Sequence, residues 1–250
     1  MSLTLYHWWG STCSRKARSA LAEKGVTDWE SVHIDLHQFE NWAPWYVEIH
    51  PNGVVPALVH NGRTVIESSV IMEYIDDTFE GPSLKPEDTW ERANMRVWLD
   101  KSEHILHKNM HLISHNKKHA HRWSEYIEQH SREVLMEMVR NQPDKQRRAD
   151  EIQNADGIPD DVVNFAAERV IDELDCMEKD LQRGTWLCGD TFSLADIAVL
   201  PFVERFEANG YGEELSAAKR PRLAEWFAQI NQRPGVIEAY SFVDPDLEAC

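Results

Sequence analysis

Four consecutive residues, Ser11-Thr12-Cys13-Ser14, put three hydroxyls and one thiol at the start of a single predicted helix. A hydroxyl in that position can donate to a thiolate while the positive end of the helix dipole favours its charge, which lowers a thiol pKa toward neutrality. Further along, Val54-Val55-Pro56-Ala57-Leu58 carries a proline where a strand begins. Proline has no N–H for a sheet ladder and its peptide bond is the one that readily turns cis, so Val55 can keep its own N–H and C=O free for an extended peptide. Glu67-Ser68 then opens a helix running to Phe79, whose first N–H groups suit an α-carboxylate. Together the three segments describe a site for a small peptide, held at both ends, with an ionised thiol between.

The elements that must position these residues are legible as periodicities. Leu3 to Tyr6 reads as a strand, Trp8-Trp9-Gly10 as a turn, and the helix that follows runs to Lys24 with Gly25 as its stop. Trp29 to Asp35 is a second strand, and Ala57 to His60 pairs with Thr64 to Glu67 around the Asn61-Gly62 turn. This βαβ then ββα order is thioredoxin-like, with parallel and antiparallel strands in one sheet. The pattern divides at Gly81 to Asp88, beyond which the signals are helical: Trp90 to Arg122, Arg122 to Arg140, Val162 to Gln182, Ser193 to Glu207 and Arg222 to Asn231. The charged, proline-containing stretch Asn141 to Asp161 reads as a loop or a solvated helix. Two domains are therefore expected, an α/β thioredoxin-like unit over residues 1–82 and an all-α helical unit over residues 83–250.

Other residues carry a competing structural explanation. Ser193-Leu194-Ala195-Asp196 is a capping box ahead of an apolar run, and capping worth about 1 kcal/mol accounts for both polar residues without catalysis. Thr12 or Ser14 can serve as a plain helix cap. Cys13 reads either as a nucleophile or as a small buried apolar residue, with packing preferred. Six of the twelve histidines lie between His104 and His121, with His107, His111, His115 and His119 at four-residue steps. Such a step overshoots a helical turn by about 40°, so on a regular helix these rings spiral apart and do not converge on a metal. Ten tryptophans are present, among them Trp8 and Trp9 beside the thiol site and Trp42 and Trp45 ahead of Pro51. Their flat faces suit an aromatic second substrate, with core packing as the alternative for each.

Composition narrows the partners. A formal charge of −17 over 250 residues argues against nucleic acid or an anionic membrane surface. Cys13, Cys176, Cys188 and Cys250 have neither zinc-ligand spacing nor the density of a disulfide scaffold, so reduced thiols in a cytoplasm are expected. There is no long apolar run, and residues 1–7 lack the basic start of a signal peptide.

On these residues the chain resembles the glutathione transferase family. STCSRKAR, residues 11–18, is similar to the serine motif of zeta-class enzymes, and VPAL and ESSVIMEYI are similar to the family's cis-proline and glutamyl-binding elements. Glu40 to Tyr46 (ENWAPWY), Ile49 to Gly53, Ser83 to Pro86 and Arg92 to Trp98 resemble the bacterial glutathione-dependent β-aryl etherases more closely still. The resemblance implies glutathione as co-substrate, with Ser11 activating its thiol and Thr12, Cys13 and Ser14 as neighbouring candidates. It implies Val54, Val55 and Pro56 along the cysteinyl backbone, Glu67 and Ser68 at the γ-glutamyl end, and Gln38 at the glycyl carboxylate. The helix bearing His107, Asn109, His111 and His115 would border the acceptor site, together with Trp8 and Trp9. The implied reaction is displacement of a phenolate from an aryl ether ketone, with a small aromatic substrate and a dimer of like or unlike chains. Isomerisation of a maleyl-type double bond, epoxide or halide conjugation, a non-catalytic partner subunit, and a thiol reductase acting through Cys13 stay open. Val54, where the family often has a polar or basic residue, keeps the partner subunit in view.

Overall fold

The computed structural model describes residues 2–116, 120–154 and 156–242, with the side chains of residues 120–122 and 125 outside the description. Lys117, Lys118, His119 and Cys250 therefore lie outside the described residues, as does the side chain of His121.

Strands β1 (Leu3–His7), β2 (Glu30–His33), β3 (Ala57–His60) and β4 (Arg63–Ile66) form one sheet in the order β2-β1-β3-β4. β1 runs parallel to β2, and β1–β3 and β3–β4 are antiparallel, with Leu5 opposite Leu58 and Ala57 opposite Ile66. Strict alternation in β1 buries Leu3, Leu5 and His7 on one face, as a period of two requires. Helix α1 (Thr12–Lys24) begins at a Ser11 cap and ends on Gly25, which takes the left-handed conformation that favours glycine. The crossover from β2 to β3 carries a 3₁₀ turn, Glu40–Trp42, and the short α2 (Pro44–Val47); α3 (Ser68–Thr78) follows β4.

The remainder is helical. α4 (Thr89–Lys101) is capped by Asp88, whose carboxylate accepts the Trp90 and Glu91 N–H groups. It continues through a π-helical turn, Ser102–His107, into α5 (Lys108–Ser114). The single helix expected over Arg122 to Arg140 is broken at His130–Ser131 into α6 (Ala120–Gln129) and α7 (Arg132–Arg140), because Ser131 Oγ accepts the Val134 N–H and starts a new helix. The stretch read as loop or solvated helix contains α8 (Lys145–Gln153), capped by Asp144. α9 (Asp160–Asp180), α10 (Leu194–Phe206), α11 (Pro221–Ile230) and α12 (Pro234–Tyr240) complete the fold.

One buried cluster runs from Leu5, Ala17 and Leu58 of the sheet domain into Trp98, Leu174, Leu200 and Trp226 of the helical one. α1 packs against α3, α10 and α12, so the helix that carries the hydroxyl-rich start is clamped between both halves. The Ser193 capping box is present, and its Asp196 is wholly buried. Asp196 Oδ2 accepts the Ser193 N–H at 3.0 Å, and Oδ1 accepts the Leu187 N–H at 3.0 Å and the Trp226 indole N–H at 2.9 Å. With the Ser193 hydroxyl also donating to Oδ2 at 3.3 Å, four buried donors on one carboxylate make this a folding element.

Candidate active site

A cleft of about 160 Å³ brings together the segments that the sequence singled out. Its floor is the start of α1. Ser11 Oγ accepts the Ser14 N–H at 3.2 Å, so Ser11 is the cap, and accepting that bond leaves its own hydroxyl proton to donate into the cleft. Thr12 and Ser14 do not line the cleft. Ser14 is fully buried, and its hydroxyl accepts the Trp8 N–H at 3.3 Å, closing the loop instead of facing a ligand.

The peptide-binding edge is the second wall. Val54, Val55 and Pro56 line the cleft, with a cis Val55–Pro56 bond, and neither backbone group of Val55 is hydrogen-bonded among the described residues. Two side chains hold this turn in place. Asn41 Nδ2 donates to the Gly53 carbonyl and Tyr46 Oη to the Val54 carbonyl, each at 2.7 Å. Neither residue carried a sequence signal as a support, because each bond spans a loop. Glu67 and Ser68 form the third wall, and Glu67 takes a positive φ of 68° at the start of α3. Non-glycine residues held in that region cost energy and gather at binding sites.

The helical domain closes the cleft with Glu103 and His107, both on the π-helical turn, and with Arg147 on α8. Lys16, fully buried on α1, donates to a Glu103 carboxylate oxygen at 2.5 Å, and the same oxygen accepts Ser68 Oγ at 2.9 Å and Ser69 Oγ at 2.7 Å. Burial opposes ionisation of Glu103, but the Lys16 ammonium and these donors outweigh it and hold the carboxyl at about 2. Cys13 stands in the same group: its sulfur, a His107 ring nitrogen and a Glu103 oxygen all lie within 4.8 Å of one another. Burial alone would raise the Cys13 thiol; the His107 ring and then Lys16 reverse this, so the thiol lies below its usual value and His107, facing the thiolate, lies above its own. A thiolate, an imidazole and a carboxylate are also donors that a transition metal accepts. Here one of the two Glu103 oxygens already serves a buried ammonium and two hydroxyls.

Several expected site residues lie elsewhere. Gln38 is exposed and borders a separate depression beside Phe39, Pro44 and Met138, with its N–H donating to Asp35. Trp8 packs on His37 with ring centroids 5.3 Å apart, and Trp9 stacks on His33 at 4.5 Å, so both indoles are occupied by packing and neither lines the cleft. Trp42 is likewise core, stacked on Phe39 in a cluster with Trp123 and Leu135. His115 is buried, with Nε2 3.0 Å from the Asn154 carbonyl, and His111 meets it edge-on; neither reaches the cleft. Asn109 Nδ2 donates to the Ile105 carbonyl one turn back. Of the helical-domain candidates, His107 alone lines the cleft, joined by Glu103, Arg147 and, from the sheet domain, His50. A carboxylate and a histidine four residues apart, Glu103 and His107, were the available sequence signal.

The N-terminal domain description of the glutathione S-transferases matches residues 1–77 and the C-terminal one residues 146–229. With the cleft built from the same segments, the chain belongs to the glutathione S-transferase family and is an enzyme of that type, with glutathione as co-substrate. Among its relatives, protein LigF of Sphingobium sp. is 32% identical over 96% of this chain and 93% of its own length. Glutathione S-transferase F10 of Arabidopsis thaliana is 29% identical over 88% of each. The crystal structure of β-etherase LigF superposes with a TM-score of 0.87 over 96% of this chain and 99% of that one, at 30% identity. Glutathione transferase F7 of Populus trichocarpa, 25% identical, gives 0.71 over 96% of this chain and 100% of its own.

Proposed function

We propose that this enzyme is a β-etherase, in which a glutathione thiolate displaces a phenolate from the carbon beside an aryl ketone, as in lignin-type β-aryl ethers. The observation that carries the reading is the likeness to β-etherase LigF, closer in backbone than the plant transferase over the same span: 0.87 against 0.71. In this reading Ser11 donates to the glutathione sulfur at the positive end of α1, and the unpaired backbone of Val55 takes the cysteinyl residue. Glu67 and the first N–H groups of α3 take the γ-glutamyl end. The Ser68 hydroxyl is already committed to Glu103, which leaves its backbone N–H for the ligand. Arg147, at the cleft wall without an ion pair among the described residues, supplies the cation for the glycyl carboxylate in place of Gln38.

The reaction then needs no metal or general base. The ketone makes the neighbouring carbon electrophilic, phenolate is a good leaving group, and the protein holds the thiolate ionised and in line. The sheet domain is taken to end at residue 82 and the helical domain to span 83–250, with the enzyme working as a dimer; exposed Val70, Trp90 and Val97 on α3 and α4 are apolar surface suited to a second chain. A cytoplasmic setting agrees with Cys13, Cys176 and Cys188 being free thiols, and among the described residues no helix is long and apolar enough to cross a membrane. Fluorescence from an umbelliferyl β-aryl ether ketone, with and without glutathione, tests the reading. Release that requires glutathione and is lost in Ser11→Ala supports it; no release from a protein that still binds glutathione removes it.

A further inference from the structure

The cleft holds a reactive group for which the ether-cleaving step has no use. Cys13 lies in the first turn of α1 and lines the cleft beside Ser11. Its sulfur, a His107 ring nitrogen and a Glu103 oxygen are mutually within 4.8 Å, and His107 Nδ1 is 4.0 Å from Glu103 Oε2. A thiol with an imidazole beside it, and a carboxylate whose charge favours the imidazolium, form the constellation of an activated thiol. The charges around it come from both domains: Lys16 of α1, Glu103 and His107 of the π-helical turn, and Arg147 of α8 at the mouth.

The competing explanation, a thiol buried for packing, has its example in the same chain. Cys188 is buried outside the cleft, and burial pushes its thiol up to about 12. Cys13 is buried to a similar degree, yet it faces His107 and Lys16 and shifts the other way.

We propose that Cys13 is a second nucleophile of this cleft, served by His107 and Glu103, and that it exchanges with mixed disulfides bearing a glutathionyl group. The Cys13 thiolate attacks the glutathionyl sulfur; the Cys13–glutathionyl bond forms as the original S–S bond breaks. The electron pair leaves on the other sulfur, which takes a proton from the His107 imidazolium. A glutathione thiol then gives its proton to His107 and attacks the bound glutathionyl sulfur, releasing glutathione disulfide and restoring the Cys13 thiolate. The net change is one mixed disulfide plus one glutathione giving one free thiol plus glutathione disulfide. The choice of disulfide rests on the glutathione reading above; the reactivity of the thiol does not.

The first measurement is alkylation of the full chain by iodoacetamide from pH 5 to 9, with Cys13 and Cys176 followed separately by peptide mass spectrometry. An ordinary thiol slows about tenfold for each pH unit below its pKa. The expected result is a Cys13 rate that falls less than tenfold per unit between pH 8 and 6, with the full tenfold dependence restored in His107→Asn. A wild-type Cys13 that slows tenfold per unit across that range overturns the proposal, and that reading needs no variant to fold. The second is incubation with glutathione disulfide: an adduct on Cys13, removed by added glutathione and absent in Cys13→Ser, is expected. A reactive Cys13 that takes no adduct overturns the disulfide assignment. Neither measurement uses an ether, so failure of the β-etherase reading shows separately, in phenolate release.

Discussion

Replacing Glu103 with glutamine removes the charge that joins the two domains at the cleft. Its carboxylate accepts from Lys16, Ser68 and Ser69, and Lys16 is fully buried, with Ser69 and Ser102 hydroxyls as its other partners. Holding the carboxyl at about 2, against an ordinary 4.5, corresponds to about 3 kcal/mol at about 1.4 kcal/mol per pH unit. Removing one partner of a buried pair costs about 3–5 kcal/mol, because the other charge is left uncompensated. Glu103→Gln should therefore lower stability by about 3 kcal/mol at pH 7, or about 6–12 °C in Tm for a chain of this size. The folded carboxyl titrates below the unfolded one, so the unfolded chain binds more protons between the two values. The contribution is complete above about pH 4.5 and lost as pH falls toward 2, and the gap between wild type and variant closes over that window. Lys16→Met with Glu103→Met removes both charges together, and urea titrations of the wild type, Lys16→Met, Glu103→Met and the double variant form a cycle. The double variant should recover at least half of the loss summed over the singles. A Glu103→Gln change under about 1 kcal/mol, or a cycle with no coupling, refutes the reasoning.

Three further outcomes follow from named contacts. Burial, assisted by Arg18, holds His7 neutral down to about 3, and burial, assisted by Arg147, holds His50 neutral to about 4. Both folded values lie below the unfolded 6.5, so stability is complete above pH 6.5 and falls on acidification by about 1.4 kcal/mol per unit for each histidine; a urea midpoint flat from pH 7 to 5 contradicts this. Asp196→Ala leaves four buried donors without their acceptor and should cost at least about 3 kcal/mol by denaturant titration, while turnover per folded molecule is unchanged. Ser11→Ala should cost about 1 kcal/mol as a lost cap and also abolish glutathione-dependent turnover, whereas Ser14→Ala should affect stability alone; equal turnover in the two variants would remove Ser11 from its role.

What the sequence disclosed was local physics. The Gly25 stop, the Asn61-Gly62 hairpin and the Ser193 box are each decided within a few residues, and each stands in the structure, whereas the cap of α1 is Ser11 and not the expected Thr12 or Ser14. The Val54 to Pro56 edge and the Glu67-Ser68 helix start were legible for the same reason. What stayed hidden depends on contacts across the fold. Lys16 and Glu103 are 87 residues apart, and their meeting depends on a π-helical turn that nothing in Ser-Glu-His-Ile-Leu-His distinguishes from α-helix. Assuming a regular helix spread the histidines around the axis and hid the pairing of His107 with Cys13. Trp8 and Trp9 were placed by proximity in sequence and Gln38 by resemblance, yet the loops they occupy put them against His37, against His33 and beside a separate depression.

The central claim, thiolate displacement of a phenolate, is tested most directly by product analysis. A β-aryl ether ketone is incubated with the enzyme and glutathione, and phenol and glutathione thioether are quantified together by mass spectrometry. The expected result is one phenol and one thioether at the former ether carbon for each ether consumed. Phenol without thioether, or an untouched ether in the presence of an enzyme that binds glutathione, would contradict it.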